Sequence, residues 1–176
     1  MVNTTVRDAR AAYFDANGFS EAAYQDAWVR LKLFGIPLAF PNSPSRKRAV
    51  PLHDLHHVAT GYSTTFTGEA EIGAWEIGGG CADHTAAWVL NTLTMIYGLW
   101  IAPRRVYRAF VRGRHSRTLY NTGWSDNLLE LSVDELRRHL HLDQPVHITW
   151  RDRIAFVAWA ALALLPAVAV AVLVVG

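Results

Sequence analysis

The chain is short of cysteine, short of charge and without the common nucleotide-binding signatures. Cys81 is the single cysteine, which excludes an intrachain disulfide and any cysteine-based zinc ribbon and suits a reducing compartment. A GxGxxG fingerprint and a P-loop are both absent, so no dinucleotide or triphosphate grip is expected. Charged residues make up 18% of the chain and the net charge is +2, too small to point to nucleic acid. The opening Met1 to Asp8 has no basic region leading into an apolar run, so no secretory signal is read, and Asp8 with Asp15 fits a transit peptide poorly. At 176 residues the length allows one ordinary domain. The hydrophobic share of 51% is high enough to prompt a search for a membrane segment.

What is present centres on Pro51-Leu52-His53-Asp54-Leu55-His56-His57, followed by Gly68-Glu69. In a helix, His53 and His57 are one turn apart and share a face, with Asp54 at the edge of that face. Two histidines at i and i+4 hold a transition metal well, because both rings can converge on one point. A third ligand must come from another element, and Glu69 is the nearest candidate. In the bland alternative Glu69 is simply a carboxylate favoured by the positive end of a helix.

The pattern HDxxH, eleven further residues, then Glu resembles the metal motif of the Coq-four family, the fourth coenzyme Q biosynthesis proteins. Phe40-Pro41-Asn42, Arg46-Lys47-Arg48, Gly61-Tyr62 and Arg112-Gly113-Arg114 extend the likeness, from about Tyr13 to Leu142. The resemblance implies an all-α, membrane-associated protein of ubiquinone assembly that binds a divalent metal. It also implies a link to removal of the C1 carboxyl from a polyprenylated ring precursor. By motif position His53, Asp54, His57 and Glu69 are the ligands and His56 is not. Asp54 and Glu69 are also the candidate catalytic carboxylates. The ligand types admit zinc first, then iron or manganese. Partners implied are a prenylated quinone precursor or prenyl lipid, a membrane, and other quinone-biosynthesis enzymes.

Along the chain, Thr5 can cap a helix that stops at Asn17-Gly18. Ala23, Tyr24, Ala27, Trp28 and Leu31 recur at helical spacing and predict a second helix, ended by Gly35 and Pro37. Pro37 to Ser45 reads as an irregular loop. Arg46-Lys47-Arg48 is either a solvated run or an anion grip beside the metal. The motif helix is predicted from Pro51 to Thr60, ending at Gly61, and the next from about Gly68 to the Gly78-Gly79-Gly80 break. Thr85 to Ala102 carries no charge and suits a buried helix or one walling a lipid pocket. Arg104, Arg108 and Arg112 then fall on one helical face and are candidates for lipid or other anion binding. Ser132 to Glu135 is a capping box. His139 and His141 are expected to be exposed and to hold no second metal.

Ile154 to Val175 is uncharged and long enough to span a bilayer. The sequence therefore predicts residues 1–150 as an all-α, multi-helix domain and 154–175 as a C-terminal transmembrane anchor. Arg151 and Arg153 place the N-terminal domain on the cytoplasmic side. Three functions are open. The first is a metal-dependent decarboxylase or lyase, oxidative or non-oxidative, acting at the membrane surface. The second is a non-catalytic prenyl-lipid-binding scaffold of a quinone-biosynthesis complex. The third is a zinc hydrolase of HExxH type, in which Asp54 would be the general base. The first carries a structural expectation: the metal site opens into an apolar groove walled by the Thr85 to Ala102 helix, with the arginines near its mouth.

Overall fold

The computed structural model describes residues 4–33 and 36–175, with side chains at all of these except 31–33, 36, 38 and 166–175. Eight α-helices and one hairpin follow in order: α1 Val6–Asn17, β1 Trp28–Leu33, β2 Ile36–Pro41, α2 Pro44–Thr60, α3 Phe66–Gly79, α4 Thr85–Ile101, α5 Pro103–Arg114, α6 Asn127–Glu130, α7 Val133–His139 and α8 Trp150–Val175. Single 3₁₀ turns lie at Glu21–Tyr24 and Leu119–Asn121.

Local chemistry sets most helix ends. Thr5, Ser43, Thr65 and Ser132 each accept a backbone N–H into their hydroxyl at a helix start, which satisfies one of the donors a first turn leaves orphaned. At Ser132 the reciprocal half of the capping box is also present. Gly18 and Gly61 close α1 and α2 in the left-handed conformation, where a Cβ is unfavourable. The motif helix starts earlier than its sequence suggests. Pro44 takes the first helical position, and Pro51 lies inside the helix, where it has no N–H to give to the carbonyl one turn back.

Two expectations for the fold are corrected. The class is not all-α, because Trp28–Leu33 pairs antiparallel with Ile36–Pro41. The predicted second helix shrinks to the Glu21–Tyr24 turn, and the loop drawn from Pro37 is a strand as far as Pro41. Trp-Val-Arg-Leu-Lys-Leu alternates with period two, the strand signal, and a two-stranded ribbon has only edges, where proline is tolerated. Gly35, read as a helix stop, lies outside the described residues.

The second correction concerns the C-terminus. Among the described residues, no helix is long and apolar enough to cross a membrane. The single-pass tail anchor, and with it the cytoplasmic placement of the rest, is not supported. The first turns of α8 are instead fastened to the other helices through Asp152, Phe156 and Trp159. Asp152 is buried and accepts hydrogen bonds from Arg114 Nε (2.7 Å), His115 Nε2 (3.1 Å) and the Thr149 amide and hydroxyl (2.8 and 2.7 Å). Trp159 stacks on Trp88 of α4 with ring centroids 5.4 Å apart, and Phe156 sits edge-on to Tyr107 and Phe110 of α5. An uncharged run measures apolarity alone, and a helix docked on a core shares that property with a span.

The core lies around α3, which packs against α4 and α5 and is buried from Ala70 to Ile77. Its contact with α5 is close enough to need glycine. A Cβ on Gly113 would meet the Trp75 carbonyl, and one on Gly78 would meet the Phe110 carbonyl. Backbone cannot step aside as a flexible side chain can. Gly113→Ala is therefore expected to destabilise the protein by roughly 1–3 kcal/mol, read as a lowered denaturant midpoint with unchanged slope. Unaltered stability would show that α3 and α5 do not approach this closely.

A second outcome concerns α8. Its three partners, set against the burial that opposes charge, hold the Asp152 carboxyl well below the usual carboxylate range. A depressed folded value means stability that is present above the unfolded pKa, about 3.9, and is lost as pH falls below it. Asp152→Asn is expected to raise amide hydrogen exchange in the first turns of α8 at neutral pH. It should also flatten the acid limb of the stability profile.

Candidate metal centre

The helix α2 presents His53 and His57 on one face, as their spacing requires, and α3 brings Glu69 across from its first turn. His53 Nε2 and His57 Nε2 are 3.2 Å apart, His57 Nε2 is 3.4 Å from Glu69 Oε1, and His53 Nε2 is 3.6 Å from Glu69 Oε2. Donor atoms bound at about 2.0–2.1 Å round a tetrahedral ion stand about 3.3–3.4 Å apart. The triangle therefore fits a single divalent ion. Among the described residues, His53, His57 and Glu69 are the group of histidines and acids with converging ligand atoms. Three such ligands would leave a position open on a tetrahedral ion, the pattern of a catalytic zinc site and not of a closed structural one.

Proton positions support the same fit. His57 Nδ1 lies 2.9 Å from the Tyr62 carbonyl, which can only accept, so Nδ1 carries the proton. His53 Nδ1 lies 2.8 Å from a carboxylate oxygen of Glu76 and donates likewise. Both Nε2 lone pairs then face each other across 3.2 Å, an arrangement that calls for a cation or a proton between them. Burial opposes charge on His53, but the Glu76 and Glu69 carboxylates outweigh it and push its pKa well above the imidazole range. Burial also opposes ionised Glu69, yet hydrogen bonds to the two histidines lower its pKa to about 2.

Asp54 is placed differently from the other three motif residues. It is buried, and its carboxylate accepts from the phenols of Tyr24 and, at 3.4 Å, Tyr13. No Asp54 oxygen belongs to the converging set. Burial pushes its pKa upward against the pull of His53 and Tyr24. Tyr13 also stacks on the His57 ring at 5.5 Å, so one phenol touches both the metal face and the Asp54 face of α2.

A cavity of about 440 Å³ opens beside these groups. His53, Asp54, Glu69, Tyr13 and Tyr24 contribute polar wall, Phe19, Val50, Ala87 and Leu90 apolar wall, and Arg46 a guanidinium. The helix α4 does wall the cavity, through Ala87, Leu90, Asn91 and Thr94. Leu93 and Trp100 of the same helix are 57% and 80% exposed and do not line this cavity.

The arginines also separate. Arg46 lines the cavity and donates to Asn42 Oδ1 (3.1 Å), Lys47 donates to the Gln25 carbonyl (3.0 Å), and Arg48 is exposed. Arg104 and Arg108 are exposed and do not line this cavity. Arg112 donates to the Thr60 carbonyl (3.2 Å) and lies over the Tyr62 ring (5.4 Å). With Arg137 on the Ala59 carbonyl (3.0 Å) it satisfies the C-terminal end of α2. It thereby steadies the turn that carries Tyr62. His139 and His141 are exposed, as expected.

The sequence reading passed over Glu76, Tyr13 and Tyr24 as members of one site, whereas Arg46, read as part of a solvated run or of an anion grip beside the metal, lines the cavity. Glu76 left a signal: it lies two helical turns after Glu69, on the same face of α3. The tyrosines left none, since only the fold brings them to Asp54.

His57→Ala is expected to remove the ion. Elemental analysis of protein purified from metal-supplemented medium should find about one divalent ion per wild-type chain and almost none in the variant; equal contents would remove the site. Because a proton on His53 competes with the ion, affinity should fall as pH is lowered through the raised His53 value.

The ubiquinone biosynthesis protein coq4, mitochondrial, of Aspergillus clavatus is 35% identical to this chain over 107 residues, covering 53% of the chain and 33% of that protein. The chain thus spans about a third of the length of the curated relative it matches. No family model matches the chain, and no solved structure does.

Proposed function

We propose that this chain acts in ubiquinone biosynthesis as a metal-dependent decarboxylase that removes the ring C1 carboxyl of a prenylated precursor. The observation that carries the reading is the open three-ligand cluster of His53, His57 and Glu69 at the wall of a cavity that also holds an acid, Asp54, and a cation, Arg46. The likeness to a protein named for ubiquinone biosynthesis supplies the pathway. Zinc suits the two imidazoles and carboxylate best, with iron or manganese admissible.

A divalent ion in the cluster supplies Lewis acidity to a carboxylate or phenol oxygen of the ring. The chain's own residues do the rest. Arg46 attracts the anionic end of the substrate, while Phe19, Val50, Ala87 and Leu90 exclude water from the ring and the first carbons of its tail. As the ring carbon–carboxyl bond breaks, its electron pair stays on the ring carbon and carbon dioxide leaves. Asp54, whose burial favours the protonated carboxyl, then delivers a proton to that carbon, and Tyr13 and Tyr24 hold the carboxyl in position. The two tyrosines, buried beside Asp54, have pKa values pushed far above the usual phenol range, so they serve as donors throughout. Association with other enzymes of the pathway belongs to the same reading.

The hydrolase alternative is weakened because Asp54 is engaged by two phenols and is outside the converging ligand set. The scaffold alternative is decided by turnover. Purified protein with zinc and a prenylated hydroxybenzoate should release carbon dioxide. Asp54→Asn should lower the rate by roughly 10²–10⁴, the range of general acid catalysis, with metal content unchanged. Tight binding of the precursor without carbon dioxide release, by the wild-type protein with any of the three metals, would replace the decarboxylase by a scaffold.

A further inference from the structure

Glu76 is fully buried in α3 and takes no part in the ligand cluster, yet four donors converge on it. Oε1 accepts from His53 Nδ1 (2.8 Å) and His56 Nδ1 (2.7 Å), and Oε2 from the Tyr120 hydroxyl (2.9 Å) and the Asn91 amide. The donors come from α2, α4 and the Leu119–Asn121 turn. A carboxylate has about four lone-pair positions, and all are filled.

The direction of each bond is fixed by its surroundings. The Leu119 amide donates to His56 Nε2 at 2.8 Å. His56 therefore has its neutral-ring proton on Nδ1 and can only donate to Glu76. An oxygen held on that side by a donor offers His53 a lone pair, so His53 also donates from Nδ1 and keeps its Nε2 lone pair for the cluster. His57 is set in the same tautomer by a neutral carbonyl, that of Tyr62. Glu76 differs in bringing a full negative charge to its histidine.

We infer that Glu76 is a positioning residue of the metal centre, fixing the tautomer of His53 and strengthening it as a ligand, with His56 and the Leu119 amide holding Glu76 in turn. The inference rests on the metal reading for its effect on affinity, but the tautomer is a property of the chain alone. His56 thus has a role although it is not a ligand: it is the link by which a backbone amide orients the carboxylate. Partners of this kind typically change metal affinity 10- to 100-fold.

The experiment uses the full chain. In Glu76→Gln the amide oxygen can still accept from both histidines. Its NH₂ can be taken by Tyr120 and by Asn91 turned about its amide, so the shape survives and the charge goes. Zinc affinity, measured by chelator competition, is expected to fall 10- to 100-fold. Tyr120→Phe removes a donor from the other oxygen. It is expected to lower the melting temperature while leaving zinc affinity within about twofold of wild type, the measurement's ordinary scatter on the scale of that 10- to 100-fold effect. An affinity in Glu76→Gln equal to wild type, or an equal loss in both variants, overturns the inference.

Should Glu76→Gln fail to fold, ¹⁵N shifts of His53 in the wild-type protein decide instead. Zinc-free, at a pH where the ring is neutral, the proton is expected on Nδ1; a proton on Nε2 overturns the inference. Failure of the wild-type chain to bind zinc would count against the metal reading and would leave that ¹⁵N result to judge Glu76 on its own.

Discussion

One ionised carboxylate with no access to water organises the interior. Removing such a charge from solvent is costly, and in proteins the group persists only where donors replace the lost hydration. Around Glu76 those donors are His53, His56, Asn91 and Tyr120. They outweigh burial and hold its pKa well below the glutamate range. Satisfying Glu76 requires α2, α3, α4 and the Leu119–Asn121 turn to be in place at once. The carboxylate therefore specifies one arrangement of these elements, where apolar packing alone would accept several. Cys81 lies in the same environment. Burial, with Glu76 nearby, pushes its thiol up to about 12, so the lone cysteine is an inert part of the core.

Close backbone approach supplies the second constraint. Gly78 and Gly113 let α3 and α5 meet carbonyl to Cα, which fixes the rotation of α3 about its axis. That rotation is what turns Glu69 and Glu76 toward α2 together. The two carboxylates then divide the labour on His53: Glu69 faces Nε2 and Glu76 faces Nδ1. The far end of α2 is steadied by Arg112 and Arg137 on its last carbonyls. This keeps Tyr62 where its carbonyl orients His57. Packing, capping and the geometry of the cluster are in this way one set of contacts, and that geometry is exposed to substitutions far from the cavity.

The two corrected features have a common physical origin. Composition windows report how apolar a stretch is, while its partner is decided elsewhere in the chain. Helical spacing in Ala23 to Leu31 and strand alternation in Trp28 to Leu33 overlap in the same residues, and the pairing with Ile36–Pro41 selects the strand. The uncharged stretch after Ile154 satisfies the length rule for a span, but Asp152, Phe156 and Trp159 tie its beginning to α4 and α5. Contacts of Asp152, Phe156 and Trp159 with residues elsewhere in the chain show what the run by itself could not.

The sequence by itself determined whatever depends on neighbours within a turn or two. The shared face of His53 and His57, Glu69 in a first turn, the stops at Gly18 and Gly61, the hydroxyl cap at Thr5 and the reciprocal cap at Ser132 all follow from helical repeat and local hydrogen bonding. Tertiary structure alone decided the groups joined across long separations. These are Tyr13 and Tyr24 on Asp54, Glu76 beneath His53, and the docking of α8. The tyrosines carry no periodic signal, and Glu76 shares a face with Glu69 without showing which donors it will meet, because each is placed by the packing of a helix whose position depends on all the others. The converging cluster was legible because the repeat of one helix aims two of its members. The groups that orient those side chains were not, because no local rule says which buried donor a carboxylate will meet.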